Sequence, residues 1–231
     1  MKNKNYIFYH IFIATNWFDI VTDQLNYLKS SNLLNDSFLK IGVVYGVGIN
    51  KDDCLNKLQE LLNGLGDYEI MYFESNGCCG ESPTLKKMIE FSRELIEDAN
   101  ILYIHTKVVS QHNSEREVPV REWRKMMEYF LIEKWEYCLE KLNSGYDCCG
   151  INYQDHAANI NGKRVLIKIF NGNFFWAKSD YIKKLNDSFL FESRYSSENL
   201  ILSSNHIAFS FLNVPPSYDL YYNIYENYKN N

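Results

Sequence analysis

His105 and Lys107 stand two residues apart at the end of a short apolar run, Ile101-Leu102-Tyr103-Ile104, with Thr106 between them. In an extended chain that spacing puts both side chains on one face. A buried strand that ends in polar residues is how an open α/β sheet presents chemistry, because ligands sit in the crevice outside the carboxyl ends of its strands. Soon afterwards Glu122-Trp123-Arg124 opens a long amphipathic segment. Lys107, with Arg124 brought near, forms a cationic pair suited to an anionic ligand such as a diphosphate. The same residues also read as a solvated lysine after a core strand and an ion pair at a helix start.

The elements that must position these residues alternate. Tyr6–Ala14 reads as a first strand, followed by a helix from about Asn16 to Ser30 with Trp17, Val21, Leu25 and Leu28 at helical spacing. Thr15 or Asn16 is its expected cap. Lys40–Tyr45 is a second strand, and Asp52–Asn63 a helix ended by Gly64. Tyr68–Phe73 is a third strand, and Ser82-Pro83 starts a helix with proline at its first position. Ile101–His105 is the fourth strand. This order predicts an α/β fold: a mostly parallel sheet with helices on both faces in a single domain, residues 1–213, and a Tyr/Asn-rich tail, 214–231. Gly46 and Gly48 lack the third glycine of a dinucleotide fingerprint.

In the second half, one helix is expected from Glu122 to Leu142, with Trp123, Met127, Phe130, Leu131, Trp135 and Cys138 inward. Strands follow at Cys148–Tyr153, Val165–Phe170 and Phe174–Ala177, with Asn161-Gly162 as a hairpin turn. Helices are expected at Ser179–Leu185 and around Glu198–Ser204.

Composition narrows the partners. The net charge is −5 and no long Lys/Arg block occurs, which argues against a nucleic-acid or anionic-membrane surface. The N-terminal apolar run is interrupted by His10 and lacks a small-x-small cleavage site, so it reads as a buried strand and not a signal peptide. No run approaches the roughly 18 apolar residues of a spanning helix. A cytoplasmic protein is expected. Cys54, Cys138, Cys148, Cys149 and the adjacent Cys78 and Cys79 match neither a C-x-x-C redox motif nor a zinc site, and read as free thiols.

Four segments together carry a family pattern: Glu81-Ser82-Pro83-Thr84-Leu85, Tyr103-Ile104-His105-Thr106-Lys107, Glu122-Trp123-Arg124-Lys125, and Asn171-Gly172-Asn173-Phe174-Phe175-Trp176-Ala177-Lys178. Tyr195-Ser196-Ser197-Glu198-Asn199 adds a fifth. In this order they resemble GT-A-type glycosyltransferases of bacterial polysaccharide loci and large DNA viruses. Val108, Ile169 and the pair Asn199-Leu200 depart from that pattern, at positions where glycine, histidine and an aromatic pair are usual.

The resemblance implies a GT-A-like, Rossmann-like sheet and a nucleotide-diphospho-sugar donor, with transfer to a hydroxyl of a glycan or other acceptor. It places Ala14, Thr15, Asn16 and Tyr45 beside the nucleotide, and His105, Thr106, Lys107 and Arg124 beside the diphosphate. Such enzymes usually hold a divalent metal on an Asp-x-Asp at the fourth strand's end. Here that place carries His105-Thr106-Lys107, so a lysine would supply the positive charge and no metal is required. If a cation is used, Asp147 and Asp155 are its ligands. An inverting transfer needs a general base, which the resemblance puts at Glu198. Its other reading is a first-turn glutamate complementing a helix dipole. Gly172 would let the backbone approach a sugar closely and Asn173 offers a donor and an acceptor; otherwise the pair is a tight turn. Asn16 as a simple helix cap, Trp176 as core, and structural roles for His10 and His206 complete the expectations. A nucleotidyltransferase and a non-catalytic binding member are the competing functions, although the early Gly-rich basic loop of the former is missing.

Overall fold

A computed structural model describes residues 4–46, 48–75, 80–107, 115–160 and 162–213. Cys78, Cys79, Val108, Asn161 and the 214–231 tail lie outside the described residues. The centre is a seven-stranded sheet in the order β3-β2-β1-β4-β8-β5-β9. Its strands are β1 (Lys4–Ile13), β2 (Ser37–Tyr45), β3 (Tyr68–Ser75), β4 (Ala99–His105), β5 (Cys148–Gly150), β8 (Phe175–Lys178) and β9 (Ala208–Ser210). A separate antiparallel hairpin is made by β6 (Tyr153–Ile160) and β7 (Lys163–Phe170). In the central sheet β8 alone runs against its neighbours. The chain moves outward from β1 to β2 and β3, then returns to place β4 on β1's other side. The β1/β4 junction is therefore a topological switch point, where a crevice opens at the strands' carboxyl ends.

Helices cover both faces, which is why β1 is apolar almost throughout. Its odd residues Ile7, Tyr9, Ile11 and Ile13 pack with α1 (Trp17–Ser30), α2 (Lys51–Leu62), α4 (Glu117–Glu128) and α5 (Trp135–Asn143). Phe8 packs on the other face with α3 (Ser82–Glu94) and α6 (Ser179–Ile182). His10 and His105, paired across β1 and β4, belong by the same alternation to the α3 face.

The first four strands lie where the sequence puts them, each extended by a few residues. The second half differs in three places. The helix expected from Glu122 to Leu142 begins at Glu117, because Pro119 falls in its first turn, where a missing N–H costs nothing. It is then broken by a π-helical turn, Tyr129–Glu133, before α5. The expected helix over Glu198–Ser204 is instead α7 (Arg194–Asn199) followed by a 3-10 turn, Leu200–Leu202. Glu198 therefore stands in the last turn of α7, where a carboxylate gains nothing from the helix dipole. The strand expected over Cys148–Tyr153 is split: β5 ends at Gly150, Asn152 turns the chain at φ 51°, and Tyr153 opens β6, which runs to Ile160 and meets β7 at Lys163, with Gly162 at φ 76° in the turn.

Candidate functional site

The expected site residues gather at the carboxyl edge of the sheet, but they divide between its two faces. On the α3 face the centre is Glu81, at the N-terminus of α3. Its Oε2 accepts from Tyr103 Oη at 3.0 Å and from Asn173 Nδ2 at 2.7 Å. His105 Nδ1 lies 3.6 Å from Oε1. The opposite ring nitrogen, His105 Nε2, is 3.0 Å from the Gly172 carbonyl. A carbonyl only accepts, so Nε2 carries the proton. Deeper on this face His10 Nδ1 is 2.8 Å from Thr84 Oγ1, which also bonds the Tyr72 hydroxyl. A side chain on Gly42 would strike both Thr84 and Tyr72, so the glycine in β2 makes room for that bond. Burial lowers the His10 imidazole to about 4, with Glu81 opposing, and raises the Tyr103 phenol.

The turn between β7 and β8 clasps the two faces together. Gly172 is at φ 95° and Asn173 at φ 57°. The expected tight turn is present, since Asn173 N donates to Phe170 O at 3.0 Å. The close approach that Gly172 allows is to α4: a Cβ there would collide with Met127 Sδ and meet Trp123 at 3.0 Å. That space is filled by protein, so Gly172's Cα does not leave it for a sugar. Asn173 is 2% exposed, and its Oδ1 is buried without a hydrogen-bond partner.

On the α1 face, Arg124 is 1% exposed and sits between carboxylates. Its Nη2 is 2.9 Å from Asp23 Oδ2, and its Nε is 3.3 Å from Glu128 Oε1. The Arg124 guanidinium thus faces protein carboxylates, and its observed role is to tie α4 to α1. Glu128 is fully buried, and burial pushes its carboxyl up to about 7 with Arg124 opposing. A cleft of about 210 Å³ lies alongside, lined by Asn16, Asp19, Asp23, Arg121 and Arg124 among others. Asn16 holds the N-cap position of α1 without a side-chain capping bond, so the simple-cap reading does not hold. Its Oδ1 is buried and unpartnered. Ala14 O accepts from Trp17 N at 3.3 Å, which closes the turn through Thr15.

Between these regions stand Thr106 and Lys107. Thr106 Oγ1 accepts from Phe12 N at 2.8 Å and Thr106 N donates to His10 O at 3.0 Å, so this strand end is fixed to β1. Lys107 Nζ is 4.7 Å from the Trp123 ring centroid, a cation–π distance. Tyr45, at the end of β2, packs its ring 5.4 Å from that of Phe73. Glu198 is half-buried on α7, which docks on α3 where Ser197 Oγ lies 3.1 Å from Ser82 Oγ, next to Glu81.

The chain matches the model of a family described as a domain of unknown function, DUF8361, over residues 8–217. It belongs to the DUF8361 family. No curated protein sequence matches this DUF8361 chain. Among solved structures it is similar to HddC from Yersinia pseudotuberculosis, at 10% identity and a TM-score of 0.46, over 91% of this chain and 90% of that one. It is also similar to a candidate nucleotide-diphospho-sugar transferase from Desulfovibrio desulfuricans G20, at 9% identity and a TM-score of 0.42, over 90% and 80% of the two chains.

Sequence reasoning gave no site role to Glu81, Tyr103 or Thr84. The signal was there for Glu81 and Thr84, which belong to the quoted Glu-Ser-Pro-Thr-Leu segment, and in the placement of His10 inside an apolar strand. Trp176 is core as expected, with Nε1 donating to Leu131 O at 2.7 Å. Cys54, Cys138, Cys148 and Cys149 are buried free thiols. Asp147 Oδ2 accepts from Ile207 N at 2.8 Å. Among the described residues no group of three or more His, Cys, Asp or Glu side chains is arranged to hold a metal, and no helix is long and apolar enough to cross a membrane.

Proposed function

We propose that this protein is a glycosyltransferase that uses a nucleotide-diphospho-sugar, working in the cytoplasm through the domain of residues 1–213. The observation that carries the reading is Lys107. It stands just past β4 at the switch point with β1, its backbone bonded to the strand end and its ammonium held over Trp123. A fixed cation at that position offsets the charge of a departing diphosphate without a metal. Asn16 Oδ1, buried and unpartnered, and the turn through Ala14 and Thr15 would face the nucleoside, with Tyr45 at the neighbouring strand end. His105, Gly172 and Asn173 hold the edge in shape around Glu81, and Arg124 positions α4, and with it Trp123, beneath Lys107.

In the reaction, an acceptor hydroxyl attacks the anomeric carbon. The new C–O bond forms as the bond to the diphosphate oxygen breaks, the hydroxyl proton passes to Glu198, and the nucleoside diphosphate leaves opposite Lys107. Attack from the far side inverts the anomeric configuration. Support for Glu198 is its place, half-buried, on a helix docked beside Glu81, in a last turn where no dipole rewards it. Glu198→Gln keeps size and hydrogen bonding but removes basicity. Donor affinity should persist while turnover, read as nucleoside-diphosphate release, falls about a hundredfold or more. Normal turnover in the variant, or a product that retains the donor's configuration, removes Glu198 from this role.

A further inference from the structure

Away from the carboxyl edge, an open groove of about 980 Å³ runs between the β6–β7 hairpin and the segment from Asn199 to His206. Its size is at the upper end of the roughly 300–1,000 Å³ of small-molecule sites. We propose that this groove binds a neutral oligosaccharide, through an aromatic face at Tyr153 and a row of amide, hydroxyl and imidazole groups along 199–206.

The lining is unusual for its chemistry. Asn199, Ser203, Ser204 and Asn205 contribute two amides and two hydroxyls within seven residues, and among the described residues no carboxylate lines the groove. Lys168, the one ammonium among the described lining residues, stands directly opposite Asp155 in the hairpin register, which sets a carboxylate on the neighbouring strand beside it. The surface is therefore polar but close to neutral, which matches a polyhydroxylated ligand better than a phosphate.

Two details fix how it would read hydroxyls. His206 Nδ1 is 2.6 Å from the Ser204 carbonyl, which can only accept. In the neutral ring the proton therefore sits on Nδ1, and Nε2 is left as an acceptor for a ligand O–H. Ser203 Oγ donates to Leu200 O at 2.7 Å, so this hydroxyl too presents acceptor lone pairs. The amides of Asn199 and Asn205 supply both donors and acceptors. Tyr153 closes one end, its ring centroid 6.0 Å from that of His206, and offers an apolar surface for the C–H face of a sugar.

The groove is also joined to the carboxyl edge. Tyr153 follows Asn152, whose carbonyl accepts from Asn171 N at 3.2 Å, and Asn171 begins the turn that holds Asn173 on Glu81. At the other end Asn199 is the neighbour of Glu198. That the bound glycan acts as the acceptor rests on the glycosyltransferase reading; that a glycan binds does not.

The test is binding of the full chain to a printed array of neutral oligosaccharides, with uronate-bearing ones alongside. Ser203 and Asn205 are exposed, so Ser203→Trp fills the groove from the surface, and Asn205→Ala combined with His206→Gln removes its polar contacts without adding bulk. The proposal expects binding of at least one neutral oligosaccharide. Each variant should weaken it about tenfold or more while melting temperature and UDP or GDP binding stay at wild-type values. No neutral ligand on the array, binding only to uronate-bearing chains, or neutral binding that survives both variants overturns it. Glycan binding that is lost in the variants, in a protein that binds neither UDP nor GDP, upholds the groove and defeats the transfer reading instead.

Discussion

The two faces of the sheet solve the same problem, a polar cluster buried beneath a strand end, in opposite ways. On the α3 face the Glu81 carboxylate takes hydrogen bonds from Tyr103 and Asn173 and keeps part of its surface in solvent, with His105 alongside. On the α1 face Glu128 has no exposure; its charged form is favoured first by Arg124, 3.3 Å away, and then by the Gln24 side chain and Lys125. A carboxylate near the surface keeps solvent beside its hydrogen bonds, whereas an enclosed one depends wholly on the protein groups packed around it. The α3 side is thus a hydrogen-bonded cluster that solvent reaches, and the α1 side is a charged strut that holds α4, and with it Trp123, under Lys107.

The contrast predicts unequal responses to the same substitution. At pH 8, Glu128→Ala leaves the Arg124 guanidinium buried with one of its two carboxylate partners gone and should cost about 3–5 kcal/mol in urea denaturation. Glu81→Ala takes the acceptor from the buried Tyr103 and Asn173 donors but opens a place that solvent already reaches, and should cost about 1–3 kcal/mol. Equal losses would erase the distinction between the strut and the hydrogen-bonded cluster.

Titration sharpens it further. His10 is held at about 4 when folded against 6.5 for an ordinary imidazole. The unfolded chain takes up that proton first, so stability is lost as pH falls from 6.5 to 4. Glu128 is held at about 7 against 4.5, so the folded chain keeps a proton that the unfolded chain releases, and stability is lost as pH rises from 4.5 to 7. Between pH 4.5 and 6.5 the two slopes oppose and nearly cancel. His10→Gln should expose the falling slope and Glu128→Gln the rising one, each by about 2–3 kcal/mol across that interval relative to wild type. Urea midpoints at the two pH values measure this, and variants whose pH dependence parallels the wild type contradict it.

The first half of the fold could be read from the sequence because parallel strands buried on both faces are apolar throughout and the helices between them are strongly periodic. The break in the long second-half helix was hidden, since a π turn preserves apolar composition while shifting register, and Trp135 and Cys138 remain inward on either reading. Lys107 could be placed from strand length alone. The commitment of Arg124 to Asp23 could not, because Asp23 lies about a hundred residues away and only packing of α1 on α4 brings the two together. Glu81 was hidden for the same reason: its partners come from β4 and the β7–β8 turn.

Lys107 tests the central claim most directly. Binding of UDP and GDP, each compared with uridine and guanosine, should be measured calorimetrically for the wild type and for Lys107→Ala. The account predicts that a diphosphate binds the wild type, that the substitution weakens it about tenfold or more, and that the matching nucleoside is held as before. Equal loss for diphosphate and nucleoside, no loss for either, or a wild type that binds neither diphosphate contradicts it.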